Sequence, residues 1–167
     1  PGVPAMDLID NVVPHDYGEE HKVETEPRKI MGNFRDERFI DADFTVSAHC
    51  HRVPVIDGHF EAVSVGLRSK ASLEDMIEAF TVYRQLPQEL ALPSAPDQAV
   101  VVVDGMFRPQ PRLDRMTGAG MATVVGRIRP CNLLDWRFSL LGHNTSRGAA
   151  CGSILNAELM VHQKYIT

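Results

Sequence analysis

The sequence is poor in the features that mark several large classes of protein. Its 167 residues contain three cysteines, widely separated and without a C-x-x-C pair, which disfavours a disulfide framework and a zinc knuckle. No apolar run approaches the roughly 20 residues that a membrane-spanning helix needs, and no secretory leader pattern opens the chain. Repeats and low-complexity stretches are also lacking. We therefore expect a cytoplasmic protein that does not enter a membrane.

Positive charge is in deficit as well. The chain has 17 Lys and Arg against 22 Asp and Glu, which gives a formal net charge of −5. Nucleic acids and anionic membranes reward a basic surface, so this balance argues against both as partners. The hydrophobic share of 44% and the charged share of 23% are typical of a globular protein, and the length suits one domain over residues 1–167.

The apolar spacing predicts strands and helices that do not alternate strictly. The predicted strands span residues 44–49, 61–68, 99–103, 121–129 and 135–141. The predicted helices span residues 23–31, residues 72–87 with a capping box at the start, and residues 147–162. Residues 1–21 are typical of an extended lead-in. This order favours an α+β fold with a mixed, largely antiparallel sheet and helices on one face.

Residues 48–59 hold the densest set of ligating and proton-exchanging groups. On a strand, His49 and His51 would share one face, which leaves a metal pair and simple packing as alternatives. Arg52 and His59 border a loop rich in proline and glycine. A guanidinium there can bind a carboxylate and an imidazole can exchange protons near neutral pH. Spacing alone leaves a functional and a structural role equally open for these two residues.

Three other segments admit two interpretations each. Glu26 and Lys29 lie three residues apart on a predicted helix. They can form a solvated ion pair, or they can be part of a binding site. Asn144 precedes the last helix, where free backbone N–H groups suit a polar ligand, or where its side chain can cap the helix. Residues 118–120, Gly-Ala-Gly, lack the third glycine of a dinucleotide-binding loop and are predicted to form a turn.

Three motifs in order resemble the aspartate-semialdehyde dehydrogenase family, in its archaeal and fungal branch. They are Glu-Pro-Arg-Lys-Ile at 26–30, Cys-His-Arg-Val-Pro-Val-Ile-Asp-Gly-His-Phe-Glu-Ala-Val at 50–63, and Asn-Thr-Ser-Arg-Gly-Ala-Ala-Cys-Gly-Ser-Ile-Leu-Asn-Ala-Glu-Leu at 144–159. That family of oxidoreductases reduces aspartyl phosphate to aspartate semialdehyde with NADPH, on the route to lysine, threonine and methionine. The resemblance implies its C-terminal substrate-binding and dimerisation domain, similar to that of glyceraldehyde-3-phosphate-dehydrogenase-like enzymes.

The resemblance implies a role for five residues of this sequence. His59 matches the family's general acid/base, and Arg52 matches the arginine that holds the α-carboxylate of the substrate. Glu26 matches the acid that meets the substrate's amino group, and Lys29 the residue that meets phosphate. Asn144 matches the polar contact to the nicotinamide end of NADP. The resemblance therefore favours a binding role over an idle ion pair for Glu26 and Lys29.

The resemblance also implies that part of the family's active site lies outside these 167 residues. The family's nucleophilic cysteine follows Ser-Asn, and neither this motif nor the glycine-rich NADP fingerprint occurs in the sequence, which starts at Pro1. We expect the chain alone to be inactive and to bind no NADP. We also expect a homodimer or a dimer of dimers, with residues 146–163 forming a helix that would pack on the missing cofactor domain. The alternative is a non-catalytic truncated form that dimerises with full-length subunits and modulates them.

Overall fold

The computed structural model describes residues 5–14 and 17–166, with side chains described from residue 7 onward. The chain forms two compact units, Pro1–Val55 and Ile56–Thr167. Within the described ranges, no helix combines the length and the apolar character that crossing a membrane requires.

The first unit is built on helix α1, Glu19–Ile30, which begins before the predicted start at Val23. Two glutamates in its first turn and two basic residues in its last turn complement the helix dipole. Pro27 lies inside the helix. A short antiparallel hairpin follows, formed by β1, Asn33–Arg35, and β2, Arg38–Ile40.

The strand predicted at residues 44–49 does not form. Alternate residues of this stretch are half-buried, as a period of two predicts, yet the described chain offers it no partner strand. The Ala48 N–H donates to Glu24 Oε1 at 3.0 Å, and the Cys50 N–H donates to Glu20 Oε1 at 2.9 Å. The prediction was wrong because carboxylates of α1, rather than a neighbouring strand, accept these hydrogen bonds.

The second unit contains four strands: β3, His59–Val65; β4, Val100–Val103; β5, Thr123–Pro130; and β6, Trp136–Gly142. They form one sheet with the order β3-β6-β5-β4. Strand β6 pairs antiparallel with both β3 and β5, whereas β4 pairs parallel with β5. The predicted α+β fold with a mixed, largely antiparallel sheet is therefore confirmed.

Helices connect and follow these strands. They are α2, Leu73–Thr81; α3, Leu86–Glu89; α4, Pro111–Asp114; and α5, Cys151–His162, with a π-helical turn at Ser146–Ala150 before α5. The predicted capping box is present, because Ser72 Oγ accepts from the Asp75 N–H at 3.1 Å and the Ser72 N–H donates back to Asp75 Oδ2 at 2.8 Å. Helix α2 ends well before Pro87, which instead lies at the start of α3.

Different elements cover the two faces of the sheet. Phe80 of α2 packs against Phe138 of β6 with ring centroids 5.2 Å apart, so α2 covers that face. On the other face, a Cβ atom at Gly126 would lie 2.7 Å from the Arg108 carbonyl oxygen, so only glycine permits this close approach. The centre of the sheet is sealed on both sides, and Leu141 of β6 has 0% of its surface exposed.

Candidate functional site

His59 opens strand β3 at the edge of the sheet, and its side chain is exposed. Its backbone pairs with Gly142, two residues before Asn144. The Gly58 N–H donates to Asn144 Oδ1 at 2.9 Å, although 86 residues separate the two in the chain. The fold therefore brings the predicted acid/base and the predicted nicotinamide contact to one corner of the second unit.

The alternative capping role of Asn144 is not what the structure shows. His143 Nδ1 accepts hydrogen bonds from the backbone N–H groups of Thr145 and Ser146, each at 3.3 Å. A histidine ring thus satisfies amides that an Asn or Ser cap would otherwise take. Because Asn144 uses Oδ1 on Gly58, its amide nitrogen is the group that can donate to a ligand.

The turn before His59 is held by side chains that sequence reasoning missed. Thr145 Oγ1 donates to Asp57 Oδ1 at 3.1 Å, and Arg115 Nη1 donates to the Asp57 carbonyl oxygen at 3.4 Å. Gly58 adopts a φ of +116°, a conformation that favours glycine. The proline and glycine of this segment predicted a loop, but nothing in the sequence indicated which side chains would hold it.

Glu61 is a second residue that sequence reasoning missed. It lies two positions after His59 on β3, so both side chains are on the same face of the strand. Burial raises the pKa of the Glu61 carboxyl above its ordinary value of 4.5, and the charge of nearby His59 acts in the opposite direction. Since Glu61 retains an exposed surface, solvent screens this coupling. The period of two along a strand would have been enough to find it.

The other three predicted site residues belong to the first unit. Glu26 and Lys29 are both exposed on α1, as the helical spacing predicted. The Lys29 Nζ atom lies 5.0 Å from the ring centroid of Phe39 in the hairpin. Arg52 is half-buried, and its backbone forms an antiparallel bridge with Val13 through hydrogen bonds of 3.0 and 2.9 Å. The groups expected to bind substrate charges thus share one unit of the chain.

Cys131 has a perturbed thiol. Backbone N–H groups of Leu134 and Leu133 lower the pKa of Cys131 below its ordinary value of 9.0. However, it lies beyond the far end of β6 from Gly142, which pairs with His59. A strand of seven residues spans about 20 Å, so this thiol is too remote to exchange a proton with His59.

Two other sequence hypotheses concerned a metal pair and a dinucleotide loop. Within residues 5–14 and 17–166, no group of three or more His, Cys, Asp or Glu residues is placed to hold a metal ion. Residues Thr117–Gly120 form a tight turn before β5, in which Gly118 and Ala119 have positive φ angles of 58° and 56°. The prediction of a turn there is confirmed.

Known proteins resemble this chain closely. Aspartate-semialdehyde dehydrogenase of Archaeoglobus fulgidus is 49% identical over 166 residues, which cover 99% of this chain and 47% of the relative. The enzyme of the same name from Methanothermobacter thermautotrophicus is 50% identical over 161 residues, covering 95% of this chain and 46% of the relative. The chain spans about half the length of the curated relatives it matches.

Comparison of the fold with solved structures also points to aspartate-semialdehyde dehydrogenases. The crystal structure of aspartate-semialdehyde dehydrogenase with NADP from Candida albicans superimposes with a TM-score of 0.92 at 43% identity, over 99% of this chain and 48% of that one. The sequence signature of the semialdehyde dehydrogenase dimerisation domain matches residues 1–147. The chain therefore belongs to the semialdehyde dehydrogenase family and corresponds to its dimerisation domain.

Proposed function

We propose that this chain is the substrate-binding and dimerisation part of an aspartate-semialdehyde dehydrogenase, which interconverts aspartyl phosphate and aspartate semialdehyde with NADP. Two relatives with that name support this assignment, because about half of their residues are identical to this chain over nearly its whole length. The observation that carries it is the hydrogen bond from Gly58 to Asn144, because it joins the histidine corner to the start of the last helix. An acid/base and a cofactor contact must act on the same reacting carbon.

Each proposed role follows from the chemistry of the side chain. His59 is exposed at a strand end and exchanges a proton with the thiol and then with the thiohemiacetal oxygen. Arg52 offers a planar pair of donors to the α-carboxylate of the substrate. Glu26 meets the substrate's ammonium group, and Lys29, as a compact positive charge, meets phosphate.

The corner around Asn144 fits the nicotinamide end of NADP. The Asn144 amide nitrogen can donate to a carboxamide oxygen, and the small residues Gly148, Ala149 and Ala150 are exposed beside it. A Cβ atom at Gly148 would contact only the His143 carbonyl oxygen, at 3.7 Å, so the surface is open to a flat ring. NADP, when bound, supplies the hydride acceptor or donor of the reaction.

A chimera tests the proposed activity. This chain would replace the matching segment of the Archaeoglobus relative, whose other half is expected to supply the nucleophilic cysteine and the NADP site. We expect the chimera to reduce NADP with aspartate semialdehyde only when phosphate is present. The 167 residues by themselves should show no turnover, because catalytic groups that act as a unit lose nearly all activity when one is lost. A folded chimera that binds NADP but shows no phosphate-dependent turnover would contradict the proposal.

We propose further that the chain assembles as a homodimer or a dimer of dimers. The family signature is that of a dimerisation domain. Sedimentation velocity at micromolar concentration should therefore show a species of at least twice the 18.6 kDa chain mass. A single monomeric species over that range would refute the assembly.

A further inference from the structure

The two residues before His59 are held by three side chains from other parts of the second unit. Thr145 donates to the Asp57 carboxylate, Arg115 donates to the Asp57 carbonyl oxygen, and Asn144 accepts from the Gly58 N–H. These contacts join the turn to the segment before the last helix and to the residue that follows α4. His59 thus follows a turn in which hydrogen bonds hold the backbone of Asp57 and Gly58 and the side chain of Asp57.

We propose that Asp57 and Thr145 are positioning residues that orient His59 for proton transfer, a role that rests on the proposed dehydrogenase function. The hydrogen bond between Thr145 Oγ1 and Asp57 Oδ1, at 3.1 Å, is charge-assisted because the acceptor is a carboxylate. Asp57 precedes His59 by two residues with only Gly58 between them. Holding Asp57 in place therefore limits the positions that the backbone of His59 can adopt at the start of β3.

The need for such a device follows from the place of His59 in the sheet. β3 is an edge strand, paired on one side only by β6, and His59 is its terminal residue. Strand ends fray, and a misplacement of about 1 Å can cost on the order of 100-fold in rate. Gly58, at a φ of +116°, would add freedom to the turn if its neighbours did not hold it. The hydrogen bond between Thr145 and Asp57 restricts the backbone on the N-terminal side of Gly58, and the pairing of β3 with β6 restricts it on the C-terminal side.

Thr145 allows the role to be tested without touching the proposed cofactor contact. Asn144 serves both the turn and, by proposal, NADP, so its replacement would mix two effects. Thr145 is exposed, and the bond that its hydroxyl forms is to Asp57. Thr145→Val removes that hydroxyl at nearly constant volume, and Thr145→Ser keeps it. Thr81→Val is the matched control, since the exposed Thr81 hydroxyl donates to the Ile77 carbonyl within α2, at 2.8 Å.

The first readout uses the 167-residue chain and does not depend on any activity. Amide hydrogen exchange is measured by NMR in the unaltered chain and in the three variants. We expect Thr145→Val to speed exchange at Gly58 and His59 by about fivefold, the equivalent of one ordinary hydrogen bond. Thr145→Ser should restore protection, and Thr81→Val should leave both amides unchanged.

The second readout uses the chimera of the proposed function. We expect Thr145→Val to lower kcat about three- to tenfold and to change KM for aspartate semialdehyde by less than about twofold. Thr145→Ser should restore kcat, which a purely structural role of the residue would not require.

Two results would overturn the positioning role. One is unchanged exchange at Gly58 and His59 in Thr145→Val, and the other is an equal loss of kcat in the Val and Ser variants. A chimera that shows no turnover even without these substitutions counts against the dehydrogenase function, and the exchange result then decides the positioning role on its own. Failure of the dehydrogenase function and failure of the positioning role therefore give different results.

Discussion

Replacing Asp114 with Asn should lower the free energy of unfolding by about 2–3 kcal/mol. Asp114 has only 1% of its surface exposed. Its carboxylate accepts from Arg108 through Nε and Nη2 and from the Gln110 N–H at 2.6 Å. An Asn side chain keeps one acceptor and turns an NH2 group toward these donors. The loss is at the low end of the range for a buried pair because the Arg108 side chain is 38% exposed and solvent screens it.

The loss of stability caused by Asp114→Asn should be smaller at low pH than at neutral pH. Hydrogen bonds from Arg108 hold the pKa of the Asp114 carboxyl below its ordinary value of 3.8, and the Gln110 N–H acts in the same direction. A group whose pKa is lower in the folded chain contributes stability above its unfolded pKa and loses it as the pH falls through the folded pKa. The gap between the unaltered chain and Asp114→Asn should therefore be full at neutral pH and shrink below about pH 4.

Urea unfolding followed by Trp136 fluorescence measures this gap. Trp136 is the single tryptophan and is buried in β6 of the same unit. Asp104→Asn is the matched control, because Asp104 is exposed and its Oδ1 accepts from the Gly105 N–H, a bond that Asn can keep. An Asp114→Asn variant as stable as Asp104→Asn at neutral pH would contradict the importance of the buried carboxylate.

The strands of the second unit were largely predictable because their pattern is local. The short run of β-branched valines in β4 and the alternating apolar residues of β6 are signals that do not depend on the rest of the chain. Residues 44–49 carry the same pattern, but a strand also needs a partner, and Glu20 and Glu24 of α1 supply the acceptors instead. Periodicity therefore predicted which side chains are half-buried and could not predict what pairs with the backbone.

The candidate site was predictable only in part, for the same physical reason. Motifs identified His59 and Asn144 separately, and spacing alone gave no sign that 86 residues of chain would bring Gly58 to the Asn144 side chain. The partnership of Asp57 and Thr145, 88 residues apart, has no local signature at all. Contacts between distant parts of the chain come from the sheet register of β3 on β6, which a single sequence does not specify.

In the active chimera, His59→Gln should lower kcat by about 100- to 10,000-fold, the range for losing a general acid/base. Glutamine keeps a polar side chain of similar reach but cannot exchange a proton near neutral pH. KM for aspartate semialdehyde should change by less than about threefold, because Arg52, not His59, is proposed to hold the substrate's carboxylate. Steady-state kinetics over a range of pH provide both quantities.

The matched control for this substitution is His162→Gln, because His162 is exposed at the end of α5 and has no proposed part in the reaction. The control should leave kcat within about twofold, so that a loss confined to His59 identifies the proton exchange itself. Burst kinetics measure the first turnover separately from the steady rate. The thiohemiacetal must lose a proton before hydride can leave, so the first turnover also needs the proton acceptor. His59→Gln should therefore abolish the rapid first turnover of NADP reduction as well as the steady rate. A His59→Gln chimera that kept more than a tenth of the unaltered kcat would remove this histidine from the chemistry and leave it a structural residue of the turn.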